Sequence, residues 1–320
     1  MANAGKARDL TTVRGRGAPA ARFLLAIAAV SLCLSPAAQA GPTPPAEETQ
    51  QPRNIYELIY SFDHTFAKIL SPEELRLFHL RSPEQIREAD PELYKRISHD
   101  VKAWTLQWIQ HVRTTFVPIA EKRLDKAQRT AERVDAILKA HFDARGWPYR
   151  TMQVVFLPPR VFLDERDRGS LTSGMFIPFF PEAFFVSVDW PVPMDLLLVH
   201  EALHFNKVSP PYGHEMGEGI TETGARYLVL KYELLPPREV RRAEAYPREC
   251  RGVELVLEEI MKRTAKTRDE ALELFLGAYV TGRQDRMNEV FGAETWTRVV
   301  KLSQSRGGWQ THKIKAALEK

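Results

Sequence analysis

Apolar residues recur at three- and four-residue intervals along most of the chain, and that period predicts helix. Ile55, Leu58, Ile59, Phe62, Phe66 and Ile69 fall on one helical face. Ser71-Pro72-Glu73-Glu74 and Ser82-Pro83-Glu84-Gln85 then mark two helix starts. Each sets a serine cap before a proline in the first turn, with Glu or Gln three residues after the cap. Asp90-Pro91-Glu92 opens a longer helix whose apolar side is Leu93, Ile97, Val101, Trp104, Trp108, Val112 and Phe116. Pro118 should kink or break it, because proline lacks the amide hydrogen and clashes with the preceding turn. Leu124, Ala127, Ala131, Val134 and Leu138 continue the period in a further helix ending near Gly146. Residues 54–147 therefore read as a helical N-terminal region.

After Trp147-Pro148 the period shortens. Residues 152–157 (MQVVFL) and 184–190 (FFVSVDW) are rich in β-formers, and an apolar stretch punctuated by Gly and Pro, residues 171–180, lies between them. These predict two or three strands of a small sheet. From Asp195 the chain is helical to its end, with breaks near Pro236-Pro237, Pro247, Gly282 and Gly307-Gly308. The expected class is α+β, predominantly helical, with residues 148–320 as the functional domain and no internal repeat.

Charge changes the picture at the amino terminus. The chain carries 45 Lys plus Arg against 41 Asp plus Glu, a formal charge of +4. Five of those basic residues (Lys6, Arg8, Arg14, Arg16, Arg22) and only one acid, Asp9, lie in residues 1–40; the remainder is formally neutral. The basic excess is thus no argument for nucleic acid. Residues 23–34 (FLLAIAAVSLCL) form an apolar run too short to span a bilayer comfortably, followed by Pro36-Ala37-Ala38-Gln39-Ala40. Basic, then apolar, then small residues before a cut describes a secretory signal peptide over residues 1–40. The expected protein is periplasmic or secreted after cleavage near Ala40, with no stable membrane insertion. A Pro-rich spacer, residues 41–53, would follow. Beyond the leader the single cysteine, Cys250, allows neither an internal disulfide nor a two-cysteine zinc site.

The residues that carry chemistry follow the second β-like run. His200-Glu201-Ala202-Leu203-His204 lies in a helical run that Asp195 is expected to cap. On a helix, i and i+4 share a face, so both imidazoles can reach one metal ion. Glu201, turned about 100° from His200, would lie beside the metal's open position and take a proton from water there. A second acidic helix follows, His214-Glu215-Met216-Gly217-Glu218-Gly219-Ile220-Thr221-Glu222. A third His six positions after His204 is excluded, since Pro210 stands there. Glu218 and Glu222 are again i, i+4, so one could ligate while the other orients a ligand imidazole; His214 is a further candidate. For a group hydrogen-bonding a developing oxyanion, Tyr212, His214, Tyr227 and Tyr279 are available, and Tyr279 is favoured because it lies downstream on a separate helix. His64, His79, His99, His111 and His141 have no ligand spacing and read as solvated or core-edge residues.

His200–His204 followed by Glu218-Gly219-Ile220-Thr221-Glu222 resembles the gluzincin group of zinc metallopeptidases, thermolysin-like enzymes and neutral aminopeptidases among them, over about residues 150–235. The resemblance implies Zn²⁺ held by His200, His204 and Glu218, with Glu222 as the acid behind a ligand, Glu201 as general base and a peptide or protein as substrate. Two departures matter. Only 13 residues separate His204 from Glu218, fewer than in those families, which keeps Glu222 and His214 open as third ligands. Neutral aminopeptidases also place a glutamate for the substrate amine some 25 residues before the motif, where this chain has Phe176 after Ser173-Gly174-Met175. The leading expectation is an exported zinc peptidase. Its rivals are a zinc-binding pseudoenzyme or non-peptidase metallohydrolase, and a helical periplasmic binding or scaffold protein with a fortuitous HExxH.

Overall fold

Alternation along one short strand organises the architecture. In β5 (Phe184–Ser187), Phe184 and Val186 belong to one hydrophobic core, while Phe185 belongs to a second. The same holds for β1 (Val154–Leu157), where Phe156 joins the first core and Leu157 the other. A strand presents successive side chains to opposite faces, so a sheet buried on both sides reads as a continuous apolar run. That is why neither strand shows a polar alternation in the sequence.

The computed structural model describes residues 52–319, apart from residues 81–82, 117, 165–169, 172–173, 178, 181, 190–191, 208–211, 244 and 306–307. The expected leader, residues 1–40, and all but the end of the spacer lie outside the described residues. Four helices precede the first break: α1 (Ile55–Ile69), α2 (Pro72–Leu80), α3 (Pro83–Ala89) and α4 (Pro91–Thr115). Helices begin at Pro72, Pro83 and Pro91 as expected, while the expected Ser82 cap lies outside the described residues. Ser71 and Glu74 exchange hydrogen bonds as a capping pair, and Asp90 accepts from the Leu93 amide. Pro118 lies in the gap between α4 and α5 (Glu121–Asp143), as its chemistry requires.

A mixed sheet of order β1-β5-β4 follows, with β4 (Gly174–Phe176) antiparallel to β5, and β1 parallel to it. A two-stranded ribbon, β2 (Leu163–Asp164) with β3 (Ser170–Leu171), lies between them in the chain. The rest is helical: α6 (Met194–Asn206), α7 (His214–Lys231), α8 (Pro237–Arg242), α9 (Pro247–Thr264), α10 (Arg268–Thr281), α11 (Asp285–Phe291), α12 (Ala293–Gln304) and α13 (Thr311–Leu318). The class is α+β, predominantly helical. Among the described residues no helix is long and apolar enough to cross a membrane.

The helices of residues 54–147 pack into two different cores. α1 and α4 share a core with one face of the sheet, through Phe66, Trp108, Phe162 and Phe185. α5 instead buries Ala127, Val134, Leu138 and Phe142 in the core of α6, α7, α9 and α10. One expectation needs correction: Asp195 does not cap α6. The cap position is Pro193, and Asp195 sits in the first turn, paired with Arg133 of α5. A carboxylate in that turn still complements the helix dipole.

α6 and α7 are buried on almost every side, so neither shows the one-sided apolar pattern of a surface helix. α7 lies between α6 and α9. At the crossing with α9 a glycine is obligatory. A Cβ at Gly219 would lie 2.5 Å from the Glu249 carbonyl oxygen, inside backbone that cannot yield.

Candidate metal centre

α6 and α7 bring together three of the expected ligands. Nε2 of His200 lies 3.4 Å from Glu218 Oε2, and Nε2 of His204 lies 3.3 and 3.4 Å from the two oxygens of the same carboxylate. The i, i+4 spacing on α6 sets the imidazoles edge to face, with ring centroids 4.9 Å apart. One donor atom from each of the three residues lies within 4.8 Å of the others. Donors held by a small cation at about 2.0–2.1 Å in tetrahedral geometry stand about 3.4 Å apart, so the nitrogen–oxygen spacings here suit such an ion. His200, His204 and Glu218 could hold a metal ion.

The other nitrogens are also held. Nδ1 of His200 lies 3.1 Å from Glu222 Oε2, and Arg226 donates to the second oxygen of that carboxylate at 2.8 Å. Nδ1 of His204 lies 3.1 Å from the Tyr279 hydroxyl, which also accepts from Thr221 at 3.1 Å. With Nδ1 engaged, each ring is left to present Nε2 to the cluster, the arrangement that fixes tautomer and aim in metal sites. Glu222 thus reaches the far side of an imidazole and lies outside the donor group. His214 comes within 3.4 Å of Glu218 Oε1, but its side chain is 83% exposed and sits at the rim.

Tyr279 occupies a different place from the one its candidacy for the oxyanion required. It is 1% exposed on α10 and stands behind His204, where it orients a ring. Tyr212 stacks on Tyr279 at 6.0 Å and donates to Gln284, while Tyr227 donates to Glu273 on a different surface of α7.

A fourth tyrosine, Tyr246, lies beside the cluster, and the spacing of the sequence did not single it out. Its ring lies parallel to His200 at 5.8 Å and 14°, and it is 38% exposed. Burial, with the carboxylates of Glu218 and Glu201, keeps the phenol protonated, so it donates. The backbone of Tyr246 is left-handed, φ 52° and ψ 46°, immediately before Pro247. A bulky residue avoids that region, and a residue before proline favours extended backbone, so the local cost is on the order of 1–3 kcal/mol. The only hint in the sequence was Tyr-Pro at a helix start.

Glu201 is buried on α6 against β4. A Cβ at Gly174 would lie 2.6 Å from Glu201 Cδ, so the glycine leaves the room the carboxylate occupies. Gly174-Met175-Phe176 is therefore the strand itself and not merely a turn before one. Burial pushes the Glu201 carboxyl up to about 7. Burial opposes charge on Glu218 as well, but hydrogen bonds to His200 and His204 hold its carboxyl far below the usual carboxylate range. Burial also lowers His204, to about 4, whereas in His200 the carboxylates of Glu218 and Glu222 overcome burial and raise it to about 10.

Cys250, on α9, is a free, half-buried thiol that burial raises to about 11, which makes it inert as a nucleophile at neutral pH. His141 departs from the expected core-edge place: it is fully buried, 2.7 Å from the Tyr232 hydroxyl. No protein-family model, curated protein or solved structure matches the chain.

Proposed function

We propose that the protein is an exported zinc-dependent peptidase of gluzincin type. One observation carries the reading: a single carboxylate, Glu218, meets Nε2 of both His200 and His204 at 3.3–3.4 Å, with the buried Glu201 on the same helix. Two imidazoles, each backed by a second hydrogen bond, and one carboxylate form a donor set suited to catalytic zinc. Zinc held there would supply Lewis acidity, polarising a carbonyl and making water acidic near neutral pH.

The work of the chain's own residues follows. Glu201, whose basicity burial tunes to about 7, accepts the proton of the attacking water and returns it to the leaving amine. Tyr246, protonated and exposed beside the cluster, donates to the oxyanion as charge develops there, the part first considered for Tyr279. Glu222 and Tyr279 keep the two rings aimed. β4, the outer strand of the sheet, offers its edge to an extended peptide. Export through the leader of residues 1–40 belongs to the same reading.

The test pairs metal content with turnover. Purified protein should hold about one zinc per chain, Glu201→Gln should hold the same, and only the wild type should cleave peptides. Absence of tightly bound metal at neutral pH would overturn the zinc site. Zinc retained without cleavage of any peptide would favour a zinc-binding pseudoenzyme.

A further inference from the structure

Two cavities meet one residue away from the metal cluster. The larger, about 1670 Å³, is walled by α7, α8, α9 and α10, and the smaller, about 650 Å³, lies between the starts of α9 and α13. Pro247 and Arg251 line both. Pro247 directly follows Tyr246, whose ring is stacked on His200 at 5.8 Å. The junction of the cavities is thus one peptide unit, about 3.8 Å of backbone, from the residue beside the cluster.

Charge is unevenly placed on their walls. The part of the large cavity built by α7, α8 and the start of α9 carries Arg226, Arg241 and Arg251, with no acid. The smaller cavity adds Arg248 and likewise has no acid in its wall. The acids of the large cavity belong to α10 and α11, apart from Glu254, which Arg268 pairs. Arg226 spends its Nε on Glu222. Arg251 is held loosely, by Glu258 at 3.5 Å with both side chains more than half exposed. Arg241 and Arg248 are exposed and have no ion-pair partner among the described residues. Guanidinium forks left open in a concave wall match carboxylates in geometry as well as charge.

Size selects among anions. The large cavity alone exceeds the roughly 300–1,000 Å³ of a small-molecule site, and a flat anionic membrane cannot follow concave walls. Trp147, Leu230 and Leu274 add apolar surface to the same wall, as a polypeptide with mixed side chains requires. We infer that the cavities meeting at Pro247 and Arg251 form an exosite, which holds an acidic stretch of a polypeptide substrate while the bond to be cut lies at the metal cluster. This rests on the peptidase reading and adds a substrate class to it: proteins with a run of Asp or Glu beside the cleaved segment. Contacts so far from the reacting atoms are equal in ground and transition states, so they lower KM and leave kcat unchanged.

The experiment compares labelled peptides that share one apolar segment and differ in a flank of glutamates, glutamines or lysines. Binding is read by fluorescence anisotropy on Glu201→Gln, which should hold peptides without cutting them. The Glu peptide should bind at least about tenfold more tightly than the Gln peptide at low salt, an advantage that shrinks toward about 0.5 M salt. Adding Arg241→Ser, Arg248→Ser and Arg251→Ser together should erase the advantage and keep zinc, since all three are exposed and lie outside the donor group. Arg241→Glu, Arg248→Glu and Arg251→Glu together should transfer it to the Lys peptide, which loss of folding would not do. In the active enzyme the serine changes should raise KM for the Glu peptide about tenfold, with kcat and the Gln peptide unaffected. Equal binding of Glu and Gln peptides, or an advantage that survives the serine changes, would overturn the exosite, and cleavage of either peptide would leave the peptidase standing. Arginine-dependent binding of the Glu peptide with no cleavage of any peptide by the wild type would retain the acidic-segment site and overturn the peptidase. An oligonucleotide that displaces the Glu peptide and binds more tightly would overturn the polypeptide assignment.

Discussion

Oε2 of Glu222 lies 3.1 Å from Nδ1 of His200, across the interface between two helices, while Arg226 holds the other oxygen of that carboxylate at 2.8 Å. Glu218 by contrast faces Nε2 of both histidines. The two glutamates, one helical turn apart, should therefore differ in kind when removed. Glu218→Ala should abolish stoichiometric zinc, whereas Glu222→Ala should weaken it about 10- to 100-fold. Arg226→Ala should have a smaller effect in the same direction. Competition against a fluorescent chelator measures all three, and equal losses for Glu218 and Glu222 would refute the assignment.

Gly174 and Glu201 offer a steric test of the base. Gly174→Ala inserts a methyl group 2.6 Å from Glu201 Cδ, on a strand packed against α6. The carboxylate must shift by about an ångström, enough to cost roughly 10²-fold in turnover when a reacting group is misplaced. Zinc content should be unchanged, because His200, His204 and Glu218 lie on α6 and α7 and the clash is with the Glu201 side chain. If peptide turnover in Gly174→Ala matched the wild type, Glu201 could not be the base in this geometry.

Two tyrosines should separate by which quantity they move. Tyr246→Phe keeps the stack on His200 and deletes the hydroxyl, so kcat should fall about 10²–10³-fold with little change in KM or zinc affinity. Tyr279→Phe removes the group behind His204 and should instead lower zinc affinity. A Tyr246→Phe enzyme with full kcat would return the oxyanion role to another residue.

His141 carries a pH signature away from the metal cluster. Its ring is buried among Phe142, Trp147 and Tyr232, and its Nε2 lies 3.6 Å from Glu273, beyond hydrogen-bonding reach. Burial pushes it down to about 4, helped by Arg145 and Lys231 and opposed by Glu273. The unfolded chain takes up this proton first, near 6.5, so the stabilisation is complete above 6.5 and is lost as pH falls toward 4. The loss amounts to as much as about 3 kcal/mol. Glu273 acts lower: burial raises its carboxyl, but Arg145, Lys231 and Tyr227 outweigh it and bring it to about 2, so its contribution fades between about 4.5 and 2. Urea unfolding of His141→Phe from pH 7 to 4 should show a flatter slope than wild type. An unchanged slope would place the titration elsewhere.

How legible these features were depended on their range. His200, Glu201, His204, Glu218 and Glu222 could be read because helical spacing puts them on shared faces before any tertiary contact exists. The helix starts at Pro72, Pro83 and Pro91 were legible for the same local reason. Tyr246 was not, because 41 residues and three helix ends separate it from His204, and only packing of α9 on α7 brings its ring over His200. The partition of α5 from α4 was hidden as well. Both carry amphipathic faces, and a face does not record which core will cover it.

The two-sided burial of β1 and β5 has a consequence for how the molecule can be divided. The strand wall beside Glu201 is a septum, and its far face is closed by α1 and α4. A fragment beginning at Glu121 would keep every candidate ligand and hydrogen-bonding residue of the cluster yet leave Phe162, Phe180 and Phe185 bare to water. The smallest body able to carry this chemistry therefore reaches back to Ile55, and the early helices belong to the machine rather than to its packaging.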